Sequence, residues 1–353
     1  MNILIVKLSA IGDVIHTLPA LNALRKRYPE AHITWLVEED ASSLIEGHKA
    51  LNRVLISKRK RWARKLFSAS WKPTLKEVVA FIRQLRDTEY DLIFDFHGLL
   101  KSGILIRLAK GKRKIGYGRG MAHQEHSYLF LNERIPPVSM DNHALMINMM
   151  MLKTVGIQID EITYDLPVSS ADHRAVERLL QQHHIDLSNP VVAINPVAKW
   201  ETKLWSNARF SELADRMIEQ FNAQILFTGS GGDRKIVTDI ISGMRHTAYD
   251  FSGQTTLKTL AALYEKVDFL VSTDTGPMHL SAAMGTPVVA LFGPTAPWRT
   301  GPFGSIHKVI RMDLKCSPCF KRTCDTSECM KRISVDQVME GINSLEVRKM
   351  RNG

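Results

Sequence analysis

The sequence predicts an α/β fold made of two similar halves, each built around a parallel sheet. Three observations carry this. First, the apolar run Asn2 to Lys7 passes through the turn Ser9-Ala-Ile-Gly-Asp13 into an amphipathic stretch, Val14 to Tyr28. A second apolar run, His32 to Val37, follows, and strand, helix and strand in this order predict parallel pairing. Second, a similar series restarts at Val191 to Asn195. Third, the pattern weakens over residues 155–190, and Ser188-Asn-Pro190 marks a break. At roughly 150 residues per domain, a chain of 353 residues suits two domains. The division is placed near residue 175, giving 1–175 and 176–353, with a last helix expected to pack back on the first domain.

The elements follow in order. In the first half, strands are read at Asn2–Lys7, His32–Val37, Leu51–Ile56 and Tyr90–Phe96. Helices are read at Val14–Tyr28, Pro73–Asp87 (apolar at Leu75, Val78, Val79, Ile82 and Leu85), Lys101–Ala109 and Ala144–Val155. The last is rich in methionine, which reads as core. In the second half, strands are read at Val191–Asn195, Gln224–Thr228, Asp268–Ser272 and Pro287–Phe292. Helices are read at Ser169–His184, Ser206–Phe221, Thr256–Lys266, Pro277–Met284 and Val335–Val347.

Composition narrows the partners. The formal net charge is +11 and the isoelectric point is near 9.5, which favours an anionic partner. Seven Lys/Arg and no acid lie between Lys58 and Lys72, and seven more without an acid between Lys101 and Arg119. No signal peptide and no run of about 18 apolar residues is visible, so a cytoplasmic protein is expected. The four cysteines, Cys316, Cys319, Cys324 and Cys329, are spaced C-x2-C-x4-C-x4-C. That spacing fits no standard zinc site, and idle thiols in a loop are the simpler reading. No metal and no cofactor is expected.

The sharpest segment is Val271-Ser-Thr-Asp-Thr-Gly-Pro-Met-His-Leu280. A strand runs into a small-residue turn and then a helix, so free N–H groups and a positive helix end face the carboxyl edge of the sheet. Asp274, Thr275 and Gly276 sit on that turn. Lys203, shortly after the strand VVAIN, is placed to neutralise a diphosphate. Asp233 follows a glycine-rich turn and suits either a ribose contact or a helix cap. Asp13 follows the first strand, as a general base or as a helix cap. The two roles conflict, because a helix N-terminus stabilises the carboxylate and weakens it as a base. No G-x-G-x-x-G, P-loop, G-x-S-x-G or H-E-x-x-H is present. A nicotinamide-dependent oxidoreductase therefore lacks its fingerprint. A basic nucleic-acid-binding module is the alternative from another class, although no known module accompanies the basic runs.

Two blocks resemble glycosyltransferase family 9, the bacterial ADP-heptose:lipopolysaccharide heptosyltransferases. They are Val6-Lys-Leu-Ser-Ala-Ile-Gly-Asp13-Val-Ile-His-Thr17-Leu-Pro19 and the long run from Ser272 through Asp274, His279 and Thr295. The resemblance implies a GT-B fold, two Rossmann-like domains with parallel sheets facing across a cleft, the acceptor on the first and the donor on the second. It implies inverting, metal-independent transfer, with Asp13 as base and Lys203 on the diphosphate. Asp233, Asp274, Thr275, Gly276 and His279 fall on donor-binding positions. The acceptor is expected to meet Lys60, Arg61, Arg64, His97, Lys101 and Arg119. The donor implied is ADP-heptose and the acceptor Kdo-lipid A, with Glu38, Glu39 and the Lys60–Arg64 segment resembling the branch that adds the first heptose. The cysteine cluster is more like the branch that adds the second, onto heptosyl-Kdo-lipid A. Another nucleotide sugar is a third possibility. The basic runs fit a protein peripheral on the cytoplasmic face of the inner membrane, at an anionic surface. No nucleic acid is expected as a partner. The loop Pro196-Val-Ala198 departs from members that carry threonine hydroxyls there.

Overall fold

The computed structural model describes residues 1–65, 71–121, 125–158 and 161–345. The chain divides into two compact units, Met1–Pro167 and Val168–Gly353. Helix Ser170–Gln182 packs against Leu257–Tyr264 of the second unit. A division at 175/176 would cut this helix, whereas 167/168 leaves it whole.

The first unit holds β1 (Asn2–Val6), β2 (His32–Glu38), β3 (Arg53–Ser57), β4 (Glu89–Asp95), β5 (Lys110–Tyr117) and β6 (Glu133–Ile135). Their order in the sheet is β3-β2-β1-β4-β5-β6, and every pair is parallel. The second unit holds β7 (Val191–Asn195), β8 (Gln224–Phe227), β9 (Tyr249–Asp250), β10 (Phe269–Thr273), β11 (Val288–Phe292) and β12 (Lys308–Arg311). Its order, β9-β8-β7-β10-β11-β12, repeats the first, again all parallel. Both are the doubly wound order of a Rossmann domain. Ile3 to Val6 and Val191 to Ile194 are fully buried, as strands covered by helices on both faces must be.

This order fixes where ligands go. The strand order reverses between β1 and β4 in the first unit and between β7 and β10 in the second. The crevice outside the carboxyl ends of those pairs is the binding place of an open α/β sheet.

The amphipathic stretch Val14–Tyr28 is two helices, Ile11–Ile15 and Leu18–Arg27. Pro19 has no N–H to continue the first. Asn148 of helix Ala144–Met151 closes the break, donating to the His16 carbonyl at 3.1 Å and to Thr17 Oγ1 at 3.0 Å. Two methionines of that helix, Met149 and Met151, are core, each 1% exposed, and Met146 and Met150 are half-buried.

The last helix, Val335–Asn343, packs into the second unit. Val335, Val338, Met339 and Ile342 join the core of the second unit beside Phe210, Met217 and Leu291. Each buried aliphatic chain there contributes about 1.5–3 kcal/mol. Trp205 Nε1 donates to the Ile333 carbonyl at 3.0 Å and ties the approach to that helix down. Glu346 and Val347, read as its end, lie outside the described residues.

Candidate functional site

In the first unit, β1 ends at Val6 and Lys7 follows at once. Its ammonium donates to the Phe96 carbonyl after β4 at 2.7 Å and stands 3.8 Å from Asp13 Oδ1. Lys7 thus bridges the two strands of the switch point. Asp13 is the third residue of helix Ile11–Ile15, and its Oδ2 accepts from Ala10 N–H at 3.0 Å. The side chain is still 48% exposed. One oxygen caps the helix and the other faces Lys7 and solvent, so capping and reaction chemistry use different atoms of one carboxylate.

Glu38 ends β2 and is 2% exposed. Arg59 reaches it at 3.1 Å, Lys60 at 3.3 Å and Lys101 at 3.4 Å. Burial alone would raise its pKa, but Lys101, Arg59 and Lys60 together hold it below the ordinary carboxylate range. Lys101 is pushed down, first by burial and then by Arg59 and Lys60, against the pull of Glu38. His97, just past β4, is pressed down to about 2 by burial and then by Lys7, Lys101 and Arg59. It is therefore neutral. Both ring nitrogens are buried without a hydrogen-bond partner among the described residues. A neutral imidazole among three cations suits an incoming anion that also offers hydroxyl groups.

The acid-free first basic run meets acids from elsewhere in the chain. Lys60 pairs with Asp40 at 2.5 Å, and Arg61 with Glu77 at 2.9 Å and Glu39 at 3.4 Å. Glu38, Glu39, Asp40, Ser57, Lys58, Lys60, Arg61 and Arg64 line a cavity of 150 Å³. Arg64 and Arg119 are exposed and pair with no acid among the described residues. The second basic run is largely β5, where Lys112 pairs with Asp91 and Arg113 with Glu133, both at 2.9 Å or less.

In the second unit, Lys203 lies on the loop after β7 and Asp274 immediately follows β10. Lys203 Nζ is 2.6 Å from Asp274 Oδ2 and 3.3 Å from the Asp274 carbonyl oxygen. Thr295, after β11, donates to the same carboxylate oxygen at 2.6 Å. Lys203 also lies 4.5 Å from the Trp200 ring centre, with Arg322 at 5.2 Å. Helix Gly276–Ala283 begins beside this pair. Thr275 caps it by position, with no side-chain cap bond. His279 is mostly buried on its first turn. Asp233 is spent largely as a cap, accepting from Ser230 N–H at 2.7 Å and Ser230 Oγ at 2.6 Å. The preceding glycine turn is approached closely by Gly253, whose N–H donates to the Gly229 carbonyl at 2.9 Å. A Cβ at Gly253 (φ +71°) would meet Gly231 Cα at 2.8 Å.

Sequence reasoning passed over Lys7, Glu38 and Thr295 as site groups. Their signal was position, each within three residues of the carboxyl end of an apolar strand. The cysteines are all free. Among the described residues no group of three or more His, Cys, Asp or Glu side chains is gathered to hold a metal ion.

Comparison with known proteins gives the family and bears on the fold. The family described as glycosyltransferase family 9 (heptosyltransferase) matches residues 78–330. Lipopolysaccharide heptosyltransferase 1 of Pseudomonas aeruginosa is 32% identical over 326 residues, 92% of this chain and 87% of that one. E. coli heptosyltransferase WaaC, solved with ADP, superposes with a TM-score of 0.78 at 26% identity, over 97% of this chain and 99% of that one. The same enzyme solved with ADP-2-deoxy-2-fluoro heptose gives 0.76 at 25% identity, over 97% and 99%. A family 9 glycosyl transferase from Veillonella parvula reaches 0.81 over 100% and 98%, at 21% identity, which speaks to the fold alone.

Proposed function

The chain belongs to glycosyltransferase family 9, and on that premise we propose that it moves L-glycero-D-manno-heptose from ADP-heptose onto Kdo-lipid A. It is a glycosyltransferase, and its chemistry is heptosyl transfer in lipopolysaccharide core assembly. The observation that carries the mechanism is the pairing of chemistry with switch points. An exposed carboxylate with one open oxygen stands at the first, and a lysine locked beside a helix N-terminus at the second.

The donor diphosphate meets Lys203 and the N–H groups of helix Gly276–Ala283. As the anomeric bond breaks, negative charge gathers on the departing ADP. The ammonium already fixed by Asp274 meets that charge without reorganising, and such a fixed donor is worth about 10²–10³ in rate. Asp13 takes the proton of the acceptor hydroxyl as its oxygen attacks the anomeric carbon from the opposite side, which inverts the centre. A positioned base adds about 10²–10⁴. Asp233 contributes its remaining acceptor capacity to the ribose. No residue of this scheme requires a metal.

The acceptor's carboxylates and phosphates suit His97, Lys101, Lys60, Arg61, Arg64 and Arg119. Similarity to relatives named lipopolysaccharide heptosyltransferase 1 favours the first heptose over the second. A peripheral place at the inner leaflet follows from that acceptor, and no helix among the described residues is long and apolar enough to cross a membrane. Mass spectrometry of the acceptor after incubation tests the substrate. Gain of one heptose by Kdo-lipid A supports the proposal. Gain only by heptosyl-Kdo-lipid A moves the reaction one sugar outward.

A further inference from the structure

Helix Trp71–Arg86 covers one face of the first sheet and buries Thr74, Phe81 and Leu85. Trp71, Leu75 and Val79 recur every four residues, so at about 100° per residue they form a stripe on the shoulder of that buried face. Their exposure runs from 39% (Val79) to 48% (Trp71). Lys72, Lys76 and Arg83 make the next ridge round the helix. Its acid, Glu77, is occupied by Arg61 at 2.9 Å and Trp62 Nε1 at 3.0 Å.

Helix Leu100–Leu108 reaches the same core through Ile106 and packs against Trp71–Arg86. It too turns large apolar groups outward, Leu100 at 45% and Ile104 at 47% exposure, with exposed Arg107 beside them. Five large apolar side chains on two adjoining helices exceed the scattered surface leucines of an ordinary protein. The cations beside them decide the partner. Apolar groups edged with Lys and Arg complement an anionic lipid surface, where tryptophan settles at the headgroup level. The net charge of +11 has the sign needed for attraction at longer range.

We infer that Trp71, Leu75, Val79, Leu100 and Ile104 insert into the headgroup boundary of an anionic bilayer while Lys72, Lys76, Arg83 and Arg107 meet its phosphates. This rests on the proposal that the acceptor is a membrane lipid, and it names the surface that holds the enzyme beside it. None of these residues is assigned to catalysis or to the acceptor.

The test uses the whole chain and vesicles of phosphatidylcholine, with or without phosphatidylglycerol, in a sedimentation assay at low salt. Wild type is expected to bind the mixed vesicles and leave the neutral ones. Trp71→Ser with Leu75→Gln should lower partitioning about tenfold, and each of Lys72→Gln and Lys76→Gln about fivefold. These sites are exposed, so the variants should keep wild-type circular dichroism and melting. Turnover of acceptor embedded in mixed vesicles should fall with partitioning, and turnover of detergent-dispersed acceptor should not. Wild type that ignores anionic vesicles, or variants that bind as wild type does, would overturn the inference while detergent activity leaves the transfer reaction standing. Vesicle binding without transfer to any acceptor would leave the docking face and remove the reaction. A dimer dissolved by the apolar substitutions, with lipid binding unchanged, would assign the face to a second copy instead.

Discussion

Lys203 Nζ stands 2.6 Å from Asp274 Oδ2, and the two side chains are 15% and 6% exposed. They come from the loops after β7 and β10, the two strands of the switch point. Thr295 fixes the same oxygen at 2.6 Å. Lys203→Ala leaves a nearly buried carboxylate without its cation, a loss of about 3–5 kcal/mol in comparable pairs. The expected variant unfolds at lower urea and loses about 10²–10³ in kcat. Urea melts and steady-state kinetics on the same preparation check both effects. An unchanged melt would mean that the pair contributes nothing to stability.

Asp13 has two duties on two oxygens, and substitutions separate them. Asparagine keeps an oxygen for Ala10 N–H and removes the base. Asp13→Asn should retain the wild-type melting temperature and lose about 10²–10⁴ in kcat. Asp13→Ala should lose the same rate and also about 1 kcal/mol of stability with the cap. Equal melting of the two variants would show that the cap contributes nothing.

Glu38 is the buried hub of Arg59, Lys60 and Lys101. Its folded pKa lies below the ordinary value of 4.5, because the three cations outweigh the opposing effect of burial. The stability it supplies is therefore present above pH 4.5 and lost as pH falls through its folded value. Glu38→Gln should destabilise strongly at pH 7. The gap between wild type and variant should close as the pH is taken below 4, which chemical denaturation at several pH values measures.

Three histidines, His48 buried and His97 and His307 half-buried, give a pH dependence of their own. His97 is pressed to about 2 and His307 to about 4, burial being the largest cause in both, and burial lowers His48 as well. Below pH 6.5 the unfolded chain binds protons that the folded chain refuses. Stability should fall as the pH drops from 7 to 5, by up to about 1.4 kcal/mol per pH unit for each histidine. His307→Gln should flatten that slope. A melting temperature level across this range would contradict the burial argument.

The strands of both sheets were legible where one feature dominated. Val191–Asn195, an apolar run bounded by prolines, is β7 residue for residue. Polar strands were not. β5 reads Lys-Gly-Lys-Arg-Lys before its first buried residue, Ile115, because ion pairs to Asp91 and Glu133 replace apolar contacts there. The two residues of β9 offer no period at all. The last helix showed its apolar stripe but not its destination, since amphipathicity gives a face and not a partner. At the site, Asp13, Lys203 and Asp274 were visible as polar groups just past apolar strands. The Lys203–Asp274 contact was not, since 71 residues separate the two in sequence. The ion pairs of the first basic run were not legible, because Glu38, Glu39, Asp40 and Glu77 lie apart from it in sequence and meet it only in space.

The most direct test of the catalytic assignment is acceptor-dependent release of ADP from ADP-heptose, with Kdo-lipid A in detergent and EDTA present, for wild type and Asp13→Asn side by side. Wild-type release is expected to need the acceptor, to survive the chelator and to fall by at least about 10² in the variant, with ADP affinity unchanged. Release that continues undiminished in Asp13→Asn would contradict that assignment.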